Sequence, residues 1–134
     1  MRIMLDTNIL ISVIMFPSAR IWRMMETIDK KHTLVLSSYV LEESVQVAER
    51  KFPSKLDDLK RFLTGFRFEL VYTPADMEEG LFSIRDKKDY PVLYTAIVED
   101  VDILITGDKD FADVDVEKPE IMTPAEFLDR YCQS

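Results

Sequence analysis

The first ten residues constrain the fold more than any other stretch of this 134-residue chain. The apolar run from Ile3 to Leu5 ends in Asp6, and apolar residues then recur at helical spacing through Ile9 and Val13. This pattern predicts a short buried strand, a tight turn and a helix. In open α/β sheets, chemistry lies at the carboxyl ends of the strands, so Asp6 is the first candidate functional residue.

Strand and helix patterns alternate along the rest of the chain. We predict five strands, at Arg2–Leu5, His32–Leu36, Phe68–Val71, Asp102–Ile105 and Glu120–Met122. We predict helices after Thr7 up to a break at Phe16, from Ser18 through Ile28, from Tyr39 to Lys51, from Lys55 to Gly65, from Thr73 through Ile84, from Asp89 to Glu99, and after Thr123. This alternation predicts a central parallel sheet of about five strands in a three-layer α/β/α sandwich, as a single domain over residues 1–134.

Charge and composition exclude several functional classes. The formal net charge of −8 argues against a broad basic surface for nucleic acid, but it permits an enzyme whose acids surround metal ions. No apolar run approaches the roughly 20 residues of a membrane span, so we expect no membrane association. The single cysteine, Cys132, fits a reducing cytoplasm, and the single histidine, His32, is interpreted as a solvated loop residue.

Two aspartates follow predicted strands at the same edge of the sheet. Asp6 follows the first strand and Asp108 follows the fourth. Aspartate is also common in turns and helix caps, so each position taken alone has an ordinary structural explanation. Their shared edge makes both of them candidates for a functional site.

Glu43 stands out by its position in the helix that begins near Tyr39. It shares a stripe with Val40 and Val47, whereas Glu42 lies on the polar stripe of the same helix. An acid among apolar neighbours is unfavourable unless it has a partner. Because this helix starts at the carboxyl end of the second strand, we expect Glu43 to point toward the edge that carries Asp6.

Asp89 is the first residue of a similar stripe on the next predicted helix, where the apolar residues Val92 and Ala96 follow it. Pro91 fixes the start of that helix. A capping role for Asp89 is the alternative. Two further acids lie close in sequence to these candidates. Asp86, near Asp89, is either a supporting residue or an exposed one, and Asp110, near Asp108, is either an added ligand or a turn cap.

Acids from four separate segments are therefore predicted to converge. Carboxylates brought together without a cation repel one another strongly at low effective dielectric. Ligation by oxygen alone favours Mg²⁺ or Mn²⁺, as one or two ions. Such a site suits hydrolysis of a phosphodiester, because the ion acidifies water and stabilises charge on the phosphate.

The chain resembles the PIN domain family, particularly the PIN-type toxin components of bacterial and archaeal toxin–antitoxin pairs. Four segments carry the resemblance, and a fifth closes it: Leu5-Asp6-Thr7-Asn8-Ile9-Leu10, Ser38-Tyr-Val-Leu-Glu-Glu43, Arg85-Asp-Lys-Lys-Asp89 leading into Tyr94-Thr-Ala96, Leu104-Ile-Thr-Gly-Asp-Lys-Asp-Phe111, and Ile121-Met-Thr-Pro-Ala-Glu-Phe-Leu128. The resemblance implies an α/β/α sandwich and a metal-dependent endoribonuclease, often dimeric.

The resemblance also assigns residues. Asp6, Glu43, Asp89 and Asp108 fall on the four acidic positions expected to be catalytic and to hold metal, and Asp110 falls on a less regular fifth ligand position. Thr7, Asn8 and Thr106 fall on positions that usually support the acids, and Ser38 and Asp86 are also expected to support them. Basic residues near the same edge that could meet substrate phosphates are Arg20, Arg85, Lys87, Lys88 and Lys109.

The sequence therefore predicts a Mg²⁺- or Mn²⁺-dependent ribonuclease, the toxin of a type II toxin–antitoxin pair, with an antitoxin protein and a second copy of itself as partners. Two alternatives stay open. The first is a phospho-acceptor receiver domain, which also has an acidic magnesium pocket, although the third predicted strand here ends in Val71-Tyr72-Thr73 without an acid. The second is a non-catalytic binding module of the same fold.

Overall fold

The structure is a computed structural model that describes residues 1–132. Within these residues five strands form one parallel sheet: β1 (Arg2–Leu5), β2 (Thr33–Ser37), β3 (Glu69–Val71), β4 (Ile103–Ile105) and β5 (Glu120–Met122). Six α-helices flank it: α1 (Thr7–Met15), α2 (Ala19–Lys31), α3 (Ser38–Lys51), α4 (Leu56–Gly65), α5 (Tyr90–Val98) and α6 (Pro124–Tyr131). The predicted α/β sandwich with five parallel strands is confirmed.

The central strand carries the most buried part of the core. The sheet order is β3-β2-β1-β4-β5, and Ile3, Met4 and Leu5 of β1 have no exposed surface. Helices α1, α3 and α4 pack together, while α2 packs against α6. Strands covered on both faces are expected to be continuously apolar, which explains why apolar and polar residues do not alternate along β1. Receiver domains have the order 2-1-3-4-5, so the strand order excludes the receiver alternative.

Local capping explains where several helices begin. Asp6 caps α1, and Ser18 caps α2 through a hydrogen bond from the Ile21 N–H. Thr123 and Glu126 form the reciprocal capping box predicted for the last helix, α6. None of the helices among the described residues is both long and apolar enough to cross a lipid bilayer.

His32 differs from its interpretation as a solvated loop residue. Its ring is partly buried, and it lies edge-on to Phe127 at 6.2 Å and to Tyr131 at 6.0 Å between ring centroids. Burial lowers the pKa of the imidazole. The aromatic face of α6 therefore covers this residue, and its position before β2 gave no indication of that contact.

The helix predicted from Thr73 through Ile84 is wrong. Residues 72–89 form a loop of turns and bends, here called the 72–89 loop. The Thr73 hydroxyl that was expected to cap a helix instead accepts a hydrogen bond from Thr95, at 2.9 Å. Gly80 adopts a left-handed φ of +78°, a conformation that glycine accommodates and that an α-helix does not contain.

Two tyrosines of α5 satisfy the backbone of this loop. The Glu78 N–H donates to the Tyr94 hydroxyl at 3.0 Å, and the Tyr90 hydroxyl donates to the Glu78 carbonyl. The Phe82 ring stacks on Tyr90 with centroids 4.4 Å apart. Tertiary contacts with α5 thus replace the hydrogen bonds that a helix would have made within the segment.

We expect Tyr94→Phe to lower the free energy of unfolding by about 1 kcal/mol, because the Glu78 N–H loses its acceptor. Urea denaturation measures the loss, and amide hydrogen exchange should speed up in the 72–89 loop. Tyr72→Phe is the matched control, since Tyr72 is 72% exposed. Equal stability of the two variants would contradict this account of the loop.

Candidate metal centre

Asp6 is fixed at the carboxyl end of the central strand. The residue is 4% exposed, and both of its carboxylate oxygens accept hydrogen bonds. Oδ1 accepts from the Ile9 N–H at 3.0 Å, and Oδ2 accepts from the Thr106 hydroxyl. The strand, the start of α1 and the end of β4 therefore hold this acid in one orientation.

Glu43 reaches the same edge from α3. It is partly buried, and its Oε1 accepts a hydrogen bond from the Thr7 hydroxyl, whereas Glu42 is exposed. The charge of Glu43 is close enough to act on Asp6. The helical stripe identified in the sequence thus places Glu43 beside the end of β1.

Asp108 lies just after the end of β4. Its N–H donates to the Thr106 hydroxyl at 3.0 Å, and its Oδ1 accepts from the Asp110 N–H at 2.9 Å. A short 3₁₀ helix, Lys109–Phe111, follows directly. Thr106 therefore joins two acids, because its hydroxyl donates to Asp6 while it accepts from Asp108.

Asp89 precedes α5 but does not cap it. Its side chain makes no capping hydrogen bond, so the competing capping explanation does not account for its position. Its Oδ2 is buried and accepts no hydrogen bond from any described residue. A buried carboxylate oxygen without a donor is unfavourable, and a cation bound there would remove the penalty.

The tightest group of acids comprises Asp86, Asp89 and Asp110. One carboxylate oxygen from each lies within 4.8 Å of the others, which is close enough for one ion to bind all three. Asp86 was expected only to support the ligands, whereas its distance to Asp89 and Asp110 suits direct ligation. Oxygen-only groups of this kind fit Mg²⁺, Mn²⁺ or Ca²⁺.

Electrostatics join these acids into one cluster with Asp6 and Asp108. Burial is the main cause that raises the pKa of Asp6 to about 6, and the charges of Asp108 and Glu43 add to it. Burial, followed by the charges of Asp108 and Asp86, raises the pKa of Asp89 to about 7. Burial disfavours the ionised form of both acids, and the neighbouring carboxylates disfavour it further.

At the opposite, amino-terminal ends of the strands, acids have cationic partners. There Arg2 binds Glu69 at 2.8 Å, and Lys118 lies 3.4 Å from Asp102 and 3.0 Å from Asp100. A hydrogen bond from the Arg2 N–H lowers the pKa of Asp102. At the acidic edge, the side-chain cation nearest to a carboxylate is that of Arg85, 3.7 Å from Asp110. A bound metal would add positive charge at an edge where one arginine lies near a cluster of acids.

Tyr39 belongs to this neighbourhood, although the sequence analysis did not select it. It is partly buried in the first turn of α3. Burial raises the pKa of its hydroxyl, and the charges of Glu43, Asp89 and Asp86 raise it further. Its position four residues before Glu43 on the same helix was a usable signal, because such residues share a face.

Two residues expected to support the acids, Asn8 and Ser38, make no hydrogen bond to them among the described residues. Asn8 is exposed, and its side chain makes no hydrogen bond within residues 1–132. The Ser38 hydroxyl accepts from the Thr73 N–H at 2.9 Å and so fastens the 72–89 loop to α3, while Ser37 caps that helix. Ser38 thus acts on the position of the loop that carries Asp86 and Asp89.

The candidate phosphate-binding residues lie at the surface. Arg85, Lys87, Lys88 and Lys109 are all exposed, and they flank Asp86, Asp89 and Asp108 in sequence. The Arg85 side chain is 85% exposed despite its contact with Asp110. Arg20 lies elsewhere, against Ala125 and Leu128 of α6. Four of the five are therefore placed to meet a ligand that approaches the acids.

The fold and the site together define an α/β/α domain with a cluster of acids at the carboxyl ends of its strands, three of which are close enough to hold one cation. Residues 2–110 match the family model of the PIN domain, so the chain belongs to the PIN domain family. No curated protein sequence matches the chain.

Solved structures of VapBC proteins share this fold. A chain in the crystal structure of VapBC2 from Rickettsia felis, bound to a DNA fragment from its promoter, superposes with a TM-score of 0.71 at 24% identity, covering 91% of this chain and 97% of that one. VapC20 of Mycobacterium tuberculosis, a toxin that cleaves the Sarcin-Ricin loop, gives a TM-score of 0.63 at 14% identity, covering 82% and 92%. At these identities the likeness is one of fold.

We expect the metal-free protein to lose stability as the pH rises from about 4 to about 7. An unfolded aspartate titrates near pH 3.9, below the raised values of Asp6 and Asp89, so the folded state binds more protons across that range. Asp89→Asn should reduce this loss and should be more stable than the wild type at about pH 8, because one repelling charge is removed.

Urea unfolding with a chelator present, at about pH 5 and about pH 8, measures the difference. Asp76→Asn, at an exposed acid of the same loop, is the control and should follow the wild type. If Asp89→Asn lost as much stability with pH as the wild type, the electrostatic account of Asp89 would be wrong.

Proposed function

We propose that this protein is a metal-dependent endoribonuclease that hydrolyses RNA phosphodiester bonds. The observation that carries the proposal is the buried, donor-free oxygen of Asp89 among neighbouring carboxylates that repel it. Membership of the PIN domain family supports it, as does the likeness in fold to a toxin that cleaves the Sarcin-Ricin loop.

The donor set fits Mg²⁺ or Mn²⁺, as one or two ions. Asp89, Asp86 and Asp110 would hold an ion directly, and Asp6, Glu43 and Asp108 would complete the ligand set around it or around a second ion. A bound ion supplies Lewis-acid stabilisation of negative charge on the phosphate and lowers the pKa of water.

The protein's own groups then have distinct tasks. Thr7 and Thr106 hold Glu43 and Asp6 in fixed orientations, so these acids need not reorganise during the reaction. The pKa of about 7 belongs to Asp89 in the metal-free protein, and a bound cation would lower it, so Asp89 would serve as an ionised ligand. Arg85, Lys87, Lys88 and Lys109 would bind phosphates on either side of the cut and so offset the net negative charge of the chain.

The same proposal extends to the biological setting. A chain that shares this fold was crystallised as VapBC2, a pair of proteins bound to promoter DNA. We propose that this protein is likewise the toxin of a type II toxin–antitoxin pair, with an antitoxin protein as partner, and that it acts in the cytoplasm as a homodimer built from single-domain chains.

A non-catalytic binding module remains the competing function. It would retain the acids as a scaffold for a metal or a partner without hydrolysis. Calorimetric titration with Mn²⁺ beside a nuclease assay separates the two: metal binding without cleavage of any RNA in a mixed pool favours the module.

We expect Asp6→Asn, Glu43→Gln and Asp89→Asn each to reduce Mn²⁺-dependent RNA cleavage by at least about 100-fold, beyond the effect typical of residues that only support ligands. A chelator should abolish cleavage, and restored Mn²⁺ should recover it. Cleavage of a fluorescently labelled RNA pool is the measurement.

Glu42→Gln is the matched control for Glu43→Gln, because the two residues are neighbours and Glu42 is exposed on the polar face of α3. It should cleave RNA at the wild-type rate. If Glu43→Gln and Glu42→Gln were equally active, the catalytic assignment of Glu43 would have to be abandoned.

We expect Arg85→Ala to raise KM for RNA by up to about tenfold, equivalent to roughly 1.4 kcal/mol, with little change in kcat. The effect should shrink as salt rises, because the contact is to phosphate. Steady-state cleavage at two salt concentrations is the measurement. Arg61→Ala, at a similarly exposed arginine of α4, should leave KM unchanged. A matching rise in Arg61→Ala would show a non-specific charge effect instead.

A further inference from the structure

A second concave feature adjoins the acidic cleft. It is a cavity of about 500 Å³ between the open edge of β5 and the segment that follows Asp108, and we call it the β5 cavity. Thr106 and Asp108 form part of its wall, so the cavity and the acids share a boundary. Of the acids of the candidate metal centre, Asp108 is the one that lines it.

The lining of the β5 cavity is apolar in its interior and acidic at its rim. Its apolar side chains are Phe111, Val114, Val116, Pro119, Ile121 and Met122. Glu117, Glu120 and Glu126 also line it, and Lys109 is its only lysine or arginine among the described residues. Glu120 is paired with Arg130 and Glu126 caps α6, whereas Glu117 is exposed and its carboxylate can accept hydrogen bonds from a flat, uncharged ring that carries N–H donors.

Backbone groups of β5 add directional recognition. The Glu120 N–H donates to the Asp102 carbonyl, and the Met122 carbonyl accepts from the Thr106 N–H, both at 3.0 Å, so these residues face β4. Successive residues of a strand point their backbone groups to opposite sides. Ile121 therefore directs its N–H and C=O to the open edge, where nothing in residues 1–132 pairs with them.

We propose that the β5 cavity binds one nucleobase of the RNA strand whose phosphate lies at the acids. This inference rests on the proposed function and deepens it, because it assigns base preference at the cut to a particular cavity. The base faces contact the apolar side chains, and the Ile121 N–H and C=O together with the Glu117 carboxylate meet its polar edge. Lys109, between cavity and acids, contacts the phosphate that joins them.

The test is methyl-labelled NMR of the full chain with Mg²⁺, titrated with nucleoside 5′-monophosphates. We expect saturable shifts at the methyl groups of Val114, Val116 and Ile121, and none with inorganic phosphate. Val116→Trp fills the cavity and should weaken nucleotide binding by at least about tenfold, the scale of one lost base contact. Val98→Trp, at a 52%-exposed position of α5, is the control and should bind like the wild type.

Several results would overturn the inference. They are unmoved cavity methyls, equal shifts with phosphate alone, and equal nucleotide binding in Val116→Trp. Because the wild type is mapped by its own methyl shifts, a Val116→Trp variant that failed to fold would not remove the test. Shifts caused by an extended basic peptide and not by nucleotides would assign the open β5 edge to a protein partner instead.

RNA cleavage by the wild type and by Val116→Trp tests this inference separately from the proposed function. Val116→Trp should change the base preference next to the cut in an RNA pool, with calorimetric Mn²⁺ affinity unchanged. A wild-type protein that cuts no RNA would refute the proposed function, while the nucleotide titration still decides the cavity. An active Val116→Trp variant with unchanged base preference would refute the cavity assignment alone.

Discussion

Repulsion among carboxylates at the carboxyl edge of the sheet is the constraint on which the rest of this structure depends. β1, α3, β4 and the 72–89 loop each bring acids to that edge, and burial weakens the screening that water would provide. The amino-terminal edge carries acids as well, but Arg2 and Lys118 neutralise them. The same fold thus pairs acids with side-chain cations at one edge and concentrates them at the other.

Two kinds of support hold the cluster together. Asp6, Glu43 and Asp108 are fixed by hydroxyls and backbone amides of the rigid sheet and its adjoining helices. Asp86 and Asp89 come instead from the end of the 72–89 loop, which is anchored by the hydroxyls of Tyr90, Tyr94 and Ser38. The acids on one side of the cluster are therefore positioned by tertiary contacts of the loop, and those on the other side by regular secondary structure.

The sequence predicted those parts of the structure that depend on local periodicity. The five strands, the helix stripe that carries Glu43 and the capping box at Thr123 all follow from spacing alone, and the structure has each of them. The helix predicted from Thr73 failed because a proline and a cap resemble a helix start, whereas the partners of this segment lie on α5.

The closeness of Asp86 to Asp110 was missed for a related reason. It depends on how the 72–89 loop returns to the sheet, and no short-range pattern encodes that path. Asp89 was found because it begins a helical stripe, but its buried, donor-free oxygen is visible only when its neighbours are in place.

The anchoring of the 72–89 loop has a consequence for how tightly an ion is held. Because Asp86 and Asp89 lie at the end of this loop, the loop must be docked on α5 before all the acids are together. Ion affinity is then reduced by the fraction of molecules in which the loop has opened. That fraction follows the local opening free energy, which can be far smaller than that of global unfolding. Substitutions at the tyrosine anchors would therefore tune ion affinity while leaving every acid in the sequence unchanged.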